Sequence, residues 1–295
     1  MKVALILPAR DEAECIAAVV REAEKYFAGE IIVVDNGSRD ATADQAAAAG
    51  ARVVSEPIPG YGRSCMTGVR AATSADVFVF MDADGSDCPE DIPNLLLEVS
   101  RGADIAVGVR TGNRIEAGAI APAARFGNWF SGTLIGLWSG RRVRDLSPLK
   151  AITREALDKI GPAEMTYGWT VELLAVAASR EFTIAEVSTG YRHRLGGRSK
   201  VSGTLSGSFR AGCRILLVLG SVFVNNLSAR TAGAFAGFLV SVLAIGVYTA
   251  WLLLQAPSSR DVLVSSWLLA WPTCLVGISL GMIAAAARRL RRAGP

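Results

Sequence analysis

The sequence predicts an α/β domain with a mostly parallel sheet, followed by amphipathic helices at a membrane surface and a two-helix transmembrane hairpin. Up to Val109, short apolar runs alternate with helical stretches, which is the pattern of a sheet with helical crossovers. The run Val77–Met81 is unbroken, as in a strand buried on both faces. Two uncharged runs, Thr231–Ser259 and Val262–Ala287, each exceed the roughly 20 residues that cross a bilayer as a helix.

Five strands and three helices are expected in the first half of the domain. Each strand is a short apolar run, and the strands span Lys2–Ala9, Ile31–Asp35, Arg52–Ser55, Val77–Met81 and Asp104–Val109. The helices lie between them, over Asp11–Phe27 with an acidic first turn, over an Ala-rich stretch ending at Gly50, and over Cys65–Ala72. Because helices connect the strands, the strands should run parallel, with a ligand crevice at their carboxyl ends.

The pattern is less regular after Arg110. Thr111–Ala121 is rich in Gly and Ala and is expected to form a mobile loop. An apolar helix is predicted over Ala124–Trp138 and a strand over Leu149–Ile152. Trp169–Ser179 is predicted to be an amphipathic helix, and Phe182–Val187 alternates like a strand.

The chain is expected to divide into an α/β domain at 1–200, amphipathic interface helices at 201–230 and a hairpin at 231–295, with spans at about 231–255 and 262–287. Arginines flank the outer ends of both spans, whereas the hairpin tip has Arg260 beside Asp261. Since basic residues favour the cytoplasmic side, the α/β domain and the basic C-terminal tail should both lie on the cytoplasmic face of the cell's inner membrane. The apolar core of the first residues is too short for a signal peptide.

Composition excludes several classes of protein. The hydrophobic fraction of 51% and the mean hydropathy of +0.34 are high for a soluble chain, and the net charge of +4 is modest. The five cysteines show no paired spacing, which fits a reducing compartment with neither a disulfide framework nor a zinc site. No nucleic-acid motif is present, and the first strand is followed by neither a dinucleotide-binding nor a P-loop glycine motif.

Two acidic residues follow the central strand. Asp82 and Asp84 are two positions apart, so in an extended chain both carboxylates project to the same side. Like charges this close call for a cation, and oxygen ligands at the carboxyl end of a strand suit Mg²⁺ or Mn²⁺ with a substrate diphosphate. The competing interpretation is a solvated turn, which is the stronger of the two when this pair is taken alone.

Six segments together resemble family 2 glycosyltransferases, and most closely the polyprenyl- (dolichyl-) phosphate mannose and glucose synthases. In chain order they are PARDEAECI, VVDNGSRDAT, FMDADGSDCPED, GVR, RDLSPLKAITREAL and YRHRLGGRSK. The resemblance covers Lys2 to Leu219 and implies a GT-A fold, which is a Rossmann-like domain with a mostly parallel sheet. The C-terminal hairpin fits the membrane-anchored members of this family.

The resemblance also implies the roles of individual residues. Asp82 and Asp84 are expected to bind Mg²⁺ or Mn²⁺, and Asp84, Arg110, Arg125 and Asp145 to be the catalytic residues. The residues expected to bind the nucleotide sugar are Pro8, Arg10, Glu12, Val34, Asp35, Asn36, Asp82, Ala83, Asp84, Arg110, Arg194 and Lys200. The chain departs from the family pattern at Asn36, where many relatives have Asp, and at Ser86, where a Gln often supplies a third metal ligand.

The expected reaction moves a hexose from a nucleotide-diphosphate sugar, of the GDP-mannose or UDP-glucose type, to polyprenyl phosphate with inversion. This acceptor is already anionic, so it needs alignment by Arg125 rather than a general base. His193 lies between two arginines and is expected to be a surface or packing residue. For Glu172 two roles stay open, a structural one on its helix and that of a base for a hydroxyl acceptor.

Two other functions stay open. One is the same fold acting on a lipid hydroxyl or a polysaccharide, and the other is a non-catalytic membrane protein that binds nucleotide sugar. The sequence leaves the sugar, the base, the lipid length and the oligomeric state open, a homo-oligomer included. The two uncharged runs in 231–295 predict contact with membrane lipid.

Overall fold

The computed structural model describes residues 1–141, 143–180, 182–196 and 214–222. The strands in this part of the chain are β1 Val3–Ala9, β2 Glu30–Asp35, β3 Arg52–Ser55, β4 Val77–Phe80, β5 Ile105–Ile115, β6 Lys150–Thr153 and β7 Ile184–Tyr191. The helices are α1 Ile16–Ala23, α2 Thr42–Ala48, α3 Tyr61–Ala71, α4 Ile92–Ser100, α5 Pro122–Ser139, α6 Arg154–Ile160 and α7 Trp169–Ser179. A 3₁₀ turn covers Pro89–Asp91, and residues 214–222 are helical.

The seven strands form one sheet in the order β3-β2-β1-β4-β6-β5-β7. β6 runs antiparallel to both of its neighbours, β4 and β5, and the other neighbouring strands are parallel. The predicted mostly parallel α/β sheet is confirmed. Its carboxyl edge collects the loops after β1, β2, β4 and β5, where sheets of this kind bind ligands.

Apolar cores cover both faces of the sheet. Residues of β1 alternate between them, with Ile6 in the core that holds α3, α5 and α7, and Leu5 and Leu7 in the core that holds α1, α2 and α4. All four residues of β4 are buried, as expected of a strand covered on both sides. The central strands are therefore rigid supports for the loops that follow them.

The first helix begins later than predicted, at Ile16 rather than Asp11. The N–H of Asp11 donates to Ser38 Oγ at 2.9 Å, and the N–H of Glu12 donates to Thr42 Oγ1 at 2.8 Å. These bonds tie the segment after β1 to the loop after β2 and hold it in turns, with Asp11 at a φ of +49°.

Two further expectations are wrong in part. β5 continues to Ile115, into the predicted loop Thr111–Ala121, because it pairs with β7 and because Arg114 forms ion pairs of 2.6 Å with Asp91 and Glu90. Helix α7 has the predicted bounds but is not amphipathic, since it is buried along almost its whole length and contacts α3, α5 and α6.

The predicted spans at 231–255 and 262–287 lie outside the described residues, as does most of the segment 201–230. In the described part of the chain no helix combines the length and the apolar character needed to cross a membrane.

Candidate active site

The loop after β4 carries the two acidic residues predicted to bind a metal. Asp82 and Asp84 lie at the carboxyl end of this strand, and Gly85 turns the chain with a φ of +76°. This backbone angle favours glycine, and a Cβ at Gly85 would lie 2.6 Å from Cδ1 of Leu195, so the Leu195 side chain would have to move. We call residues 82–87 the acidic loop.

Ser86 fixes the orientation of Asp84. Its backbone N–H donates to Asp84 Oδ1 at 2.8 Å, and its hydroxyl donates to the same oxygen at 2.6 Å. Asp84 is 8% exposed and Ser86 only 1%, so these bonds are shielded from water. Where the family often has a glutamine, this chain therefore has a residue that orients the neighbouring carboxylate.

A third carboxylate, Asp87, belongs to the same cluster, although no role was predicted for it from the sequence. Its Oδ2 accepts the backbone N–H of Asp82 at 3.0 Å. Burial, together with the charges of Asp84 and Asp87, raises the pKa of Asp82 well above its usual value. Burial raises the pKa of Asp87 to about 6, and the charge of Asp84 adds to this rise. Because buried like charges repel one another, these three acids cannot all ionise without a compensating positive charge.

Lys150 is a second residue near the acidic loop for which no role was predicted from the sequence. It lies on β6 opposite Phe80 of β4, it is 0% exposed, and its Nζ donates to the carbonyl of Pro148 at 2.7 Å. Burial lowers the pKa of Lys150 to about 8, against the opposing effect of nearby Cys65 and Asp82. Its position inside a strand resembles that of a core residue, and only its charge sets it apart in the sequence.

Arg110, in the middle of β5, forms a buried ion pair with Asp145. The guanidinium donates through Nε at 2.8 Å and through Nη2 at 2.6 Å, and the backbone N–H of Arg110 adds a third bond at 2.9 Å. The two side chains are only 9% and 7% exposed. Asn128 of α5 donates to Asp145 Oδ1 at 3.0 Å and so connects this pair to α5. Asp145 therefore fixes the orientation of Arg110.

The segment after β7 lies against the acidic loop. Arg194 Nη1 is 3.0 Å from Asp84 Oδ2, and its Nη2 donates to Glu12 Oε1 at 2.8 Å. The N–H of Leu195 donates to the carbonyl of Asp84 at 3.0 Å. The prediction that Arg194 lies near the donor diphosphate is consistent with this placement, whereas Lys200 lies outside the described residues.

The side-chain amide of Asn36 forms hydrogen bonds within the protein. Its Nδ2 donates to the carbonyls of Glu56 and Ile58, each at 2.8 Å, and its Oδ1 accepts the N–H of Gly60 at 2.8 Å. An aspartate could not donate the first two bonds. The amide therefore holds the loop 56–60 against the end of β2, which the sequence could not reveal.

The other residues predicted near the nucleotide differ in their exposure and in their contacts within the protein. Arg10 is partly exposed at the end of β1, with its Nε 3.9 Å from Asp11 Oδ2. Asp35 Oδ1 accepts the N–H of Ser38 at 3.1 Å. Val34 is 0% exposed within the core, so any contact with a ligand would involve its main chain. Pro8 is partly buried at the same edge, beside Val34, and Ala83 is 3% exposed between the two acids.

Arg125 lies apart from these residues, in the first turn of α5 with its side chain exposed. It forms no ion pair with any residue in the described ranges. The backbone N–H of His193 donates to the Glu116 carboxylate, and its ring Nε2 lies 3.0 Å from the carbonyl oxygen of Ala117. Glu172 Oε2 accepts the backbone N–H of Glu164 at 2.7 Å. These contacts agree with packing roles for both residues.

Within the described residues, no group of three or more His, Cys, Asp or Glu side chains could hold a metal ion. The acidic loop nevertheless fits a divalent cation that is shared with a substrate. Asp82 and Asp84 supply hard oxygen ligands, and Mg²⁺ commonly uses one or two carboxylates with phosphate oxygens and water completing its shell.

Comparison with known proteins identifies the family. The model of glycosyl transferase family 2 matches residues 5–161. The chain is 39% identical over 216 residues to an uncharacterized glycosyltransferase of Mycobacterium tuberculosis, covering 71% of this chain and 94% of that protein. It is 30% identical over 228 residues to the undecaprenyl-phosphate mannosyltransferase of Micrococcus luteus, covering 70% and 90%.

A solved structure agrees with these matches. Glucosyl-3-phosphoglycerate synthase from Mycobacterium tuberculosis, in complex with Mn²⁺, uridine diphosphate and phosphoglyceric acid, superposes with a TM-score of 0.61 at 26% identity, covering 75% of this chain and 78% of that one. The GT-A-like sheet, the acidic loop at its carboxyl edge and the match over residues 5–161 agree with one another. The chain belongs to glycosyl transferase family 2.

Proposed function

We propose that the protein is a membrane-anchored, inverting glycosyltransferase that moves a hexose from a nucleotide-diphosphate sugar to polyprenyl phosphate. The family supports sugar transfer, and a relative with 30% identity is named for transfer to a polyprenyl phosphate. The uncharged runs in 231–295 support a membrane anchor, with the catalytic domain and the C-terminus on the cytoplasmic side.

The donor would bind at the carboxyl edge of the sheet. A divalent cation at Asp82 and Asp84 would stabilise the charge that develops on the leaving diphosphate. Arg110 and Arg194 add fixed positive charge at the same edge. Since Asp145 engages Nε and Nη2 of Arg110, the Nη1 group is left to donate to a phosphate or to the sugar.

The exposed face of α5 carries the argument for a lipid acceptor. Its large apolar side chains are strongly exposed, with values of 62% for Phe126, 61% for Trp129 and 68% for Leu137. Phe126 lies 5.8 Å from Trp129 between ring centroids, and Arg125 is the charged residue of the helix. A helix with aromatic side chains, a cation and no acid suits a membrane surface. Arg125 would meet the acceptor phosphate there.

The acceptor side is connected to the donor side through α5 itself. Asn128 lies one turn after Arg125 and donates to Asp145, which holds Arg110. An anionic phosphate aligned by Arg125 and Arg110 is already a nucleophile, so no general base is required. This agrees with the packing roles of His193 and Glu172.

The experiment uses the full chain in nanodiscs with radiolabelled GDP-mannose or UDP-glucose, with and without Mn²⁺. Undecaprenyl phosphate is compared with undecaprenol as a matched neutral acceptor, and with phosphoglyceric acid as a soluble phosphate. We expect a lipid product labile to mild acid, formed with undecaprenyl phosphate alone and dependent on Mn²⁺. An alkali-stable glycolipid would identify a hydroxyl acceptor instead, a water-soluble product would identify a soluble acceptor, and binding without turnover would remove the enzymatic proposal.

The variant Arg125→Ala separates the two substrates. Loss of this cation should raise the KM for undecaprenyl phosphate about tenfold or more and leave the KM for the donor within about twofold, because a charged hydrogen bond contributes about 1.5–3 kcal/mol. A change confined to the donor KM would contradict the acceptor role.

A further inference from the structure

The segment that follows β7 is bonded directly to the acidic loop along its main chain. The N–H of Arg192 donates to the carbonyl of Ser86 at 2.9 Å, and its Nε donates to the carbonyl of Gly85 at 2.6 Å. Arg192 also forms an ion pair of 2.5 Å with Glu22 of α1. Together with the bond from Leu195 to Asp84, these contacts hold residues 192–195 over the loop.

This arrangement places the guanidinium of Arg194 against the carboxylate that is expected to bind the metal. Asp84 Oδ1 accepts two bonds from Ser86, and Oδ2 is 3.0 Å from Arg194 Nη1. Both oxygens of Asp84 are therefore engaged. Arg194 also bonds Glu12 through Nη2, so one cation joins two carboxylates that come from different loops.

We propose that Arg194 is the resident counter-ion of the acidic loop and that a divalent cation must displace it from Asp84. The inference rests on the proposed metal site at Asp82 and Asp84. Two positive groups compete for the same oxygen, because a metal ion at Asp84 Oδ2 would repel the guanidinium 3.0 Å away. Without substrate, the charge of Asp84 is thus balanced by the protein itself, and metal affinity is reduced by the cost of breaking this ion pair.

The displaced guanidinium has a new partner when a nucleotide diphosphate is present. Arg194 keeps its bond to Glu12, and a phosphate oxygen can replace Asp84 as the second acceptor. Metal and nucleotide should therefore bind with positive coupling, and part of this coupling should run through Arg194. A free divalent cation would bind weakly, and the loaded site would form only with the donor.

The test measures Mn²⁺ binding to the full chain in nanodiscs without nucleotide, from the electron paramagnetic resonance signal of free Mn²⁺. Arg194→Gln should bind Mn²⁺ about fivefold tighter or more than the wild type, because it removes a partly shielded ion pair. Arg194→Lys keeps the charge but cannot bridge both carboxylates equally well, so its affinity should lie between the two. Arg101→Gln removes an exposed positive charge that pairs with Glu98 and not with the acidic loop, and should change the affinity less than about twofold.

The second measurement repeats the titration with UDP or GDP. Nucleotide should tighten Mn²⁺ binding more in the wild type than in Arg194→Gln, since the variant has no cation to release. Thermal midpoints report whether each variant is folded. If neither Arg194 variant binds Mn²⁺ tighter than the wild type, or if none of the proteins binds it, the inference is overturned. A wrong acceptor or sugar would appear in the transfer assay and would leave this comparison unchanged.

Discussion

At the scale of single residues, the buried ion pair between Arg110 and Asp145 should contribute both to stability and to the positioning of Arg110. Asp145 accepts three bonds from Arg110 and one from Asn128, while both charges are almost fully shielded from water. Replacing Asp145 with Asn would leave a buried guanidinium without a counter-ion. We expect the free energy of unfolding to fall by about 3 kcal/mol or more, together with a loss of kcat because Arg110 is no longer held in place.

Chemical denaturation of the full chain in detergent, followed by tryptophan fluorescence, measures the first effect. The matched control is Glu98→Gln, which breaks an exposed pair with Arg101 and should change stability by less than about 0.5 kcal/mol. Equal stability losses in the two variants would show that the Arg110–Asp145 pair is not the buried support that we infer.

The acidic loop predicts how metal binding depends on pH. The pKa of Asp82 is raised well above its usual value and that of Asp87 to about 6, so protons compete with a metal up to a higher pH than at an exposed carboxylate. Affinity for Mn²⁺ should therefore increase with pH, with a midpoint above that of an exposed carboxylate, because Asp82 must lose its proton against burial and against the charge of its neighbours. Titrations at several pH values measure this midpoint.

Asp87→Asn is the matched variant for this prediction. It removes a neighbouring negative charge that raises the pKa of Asp82, while its amide oxygen can still accept the Asp82 N–H. The midpoint should move to lower pH. A midpoint that does not move would mean that Asp87 has no influence on the metal ligands.

Sequence patterns found the residues whose chemistry is visible in a short motif. Asp82, Asp84 and Arg110 are of this kind, and the structure brings them to one edge of the sheet. Lys150 and Asp87 were missed because their role depends on burial and on neighbours that only the folded chain supplies. The internal use of the Asn36 amide depends on the loop 56–60, twenty residues away or more, and was hidden for the same reason.

At the scale of elements, two glycines of α5 test how this helix is packed. A Cβ at Gly132 would lie 2.3 Å from the carbonyl oxygen of Val143, whereas a Cβ at Gly127 would have no atom within 4 Å. Gly132→Ala should lower the free energy of unfolding by about 2 kcal/mol, since backbone must shift to make room. Gly127→Ala should raise it by about 0.5–1 kcal/mol, because alanine is the better helix former.

Both variants are compared by chemical denaturation with the wild type. Similar effects of the same sign would contradict the close approach of α5 to Val143. Helix α5 carries both Arg125 and Asn128. We therefore also expect Gly132→Ala to reduce kcat under conditions in which the variant is fully folded.

Elements defined by strong local periodicity were predicted well. The bounds of β3 and α7 are as predicted, and β1, β2 and β4 differ by about one residue at one end. Contacts distant in sequence explain the errors: hydrogen bonds to Ser38 and Thr42 delay the start of α1, and pairing with β7 extends β5. The reversed direction of β6 is likewise a property of its neighbours and not of its own residues.

At the scale of the whole molecule, the alternation of strands and helices predicted the fold class but not the strand order. The order β3-β2-β1-β4-β6-β5-β7 places β6 between β4 and β5, and so brings Lys150 beside the acidic loop. The loops that carry Glu12, Asp84 and Arg194 come together at the same edge. The membrane hairpin remains a prediction from the uncharged runs in 231–295.

The central claim is that sugar transfer depends on a divalent cation bound at the carboxylate of Asp84. The most direct test compares Asp84→Asn with wild type in the Mn²⁺-dependent transfer to undecaprenyl phosphate, with the exposed Asp44→Asn as the matched control. Asn keeps the shape of the side chain but removes the charge, so we expect the rate to fall about 10³-fold or more in a protein that a thermal melt shows to be folded at the assay temperature. Transfer at the wild-type rate by folded Asp84→Asn would contradict the account.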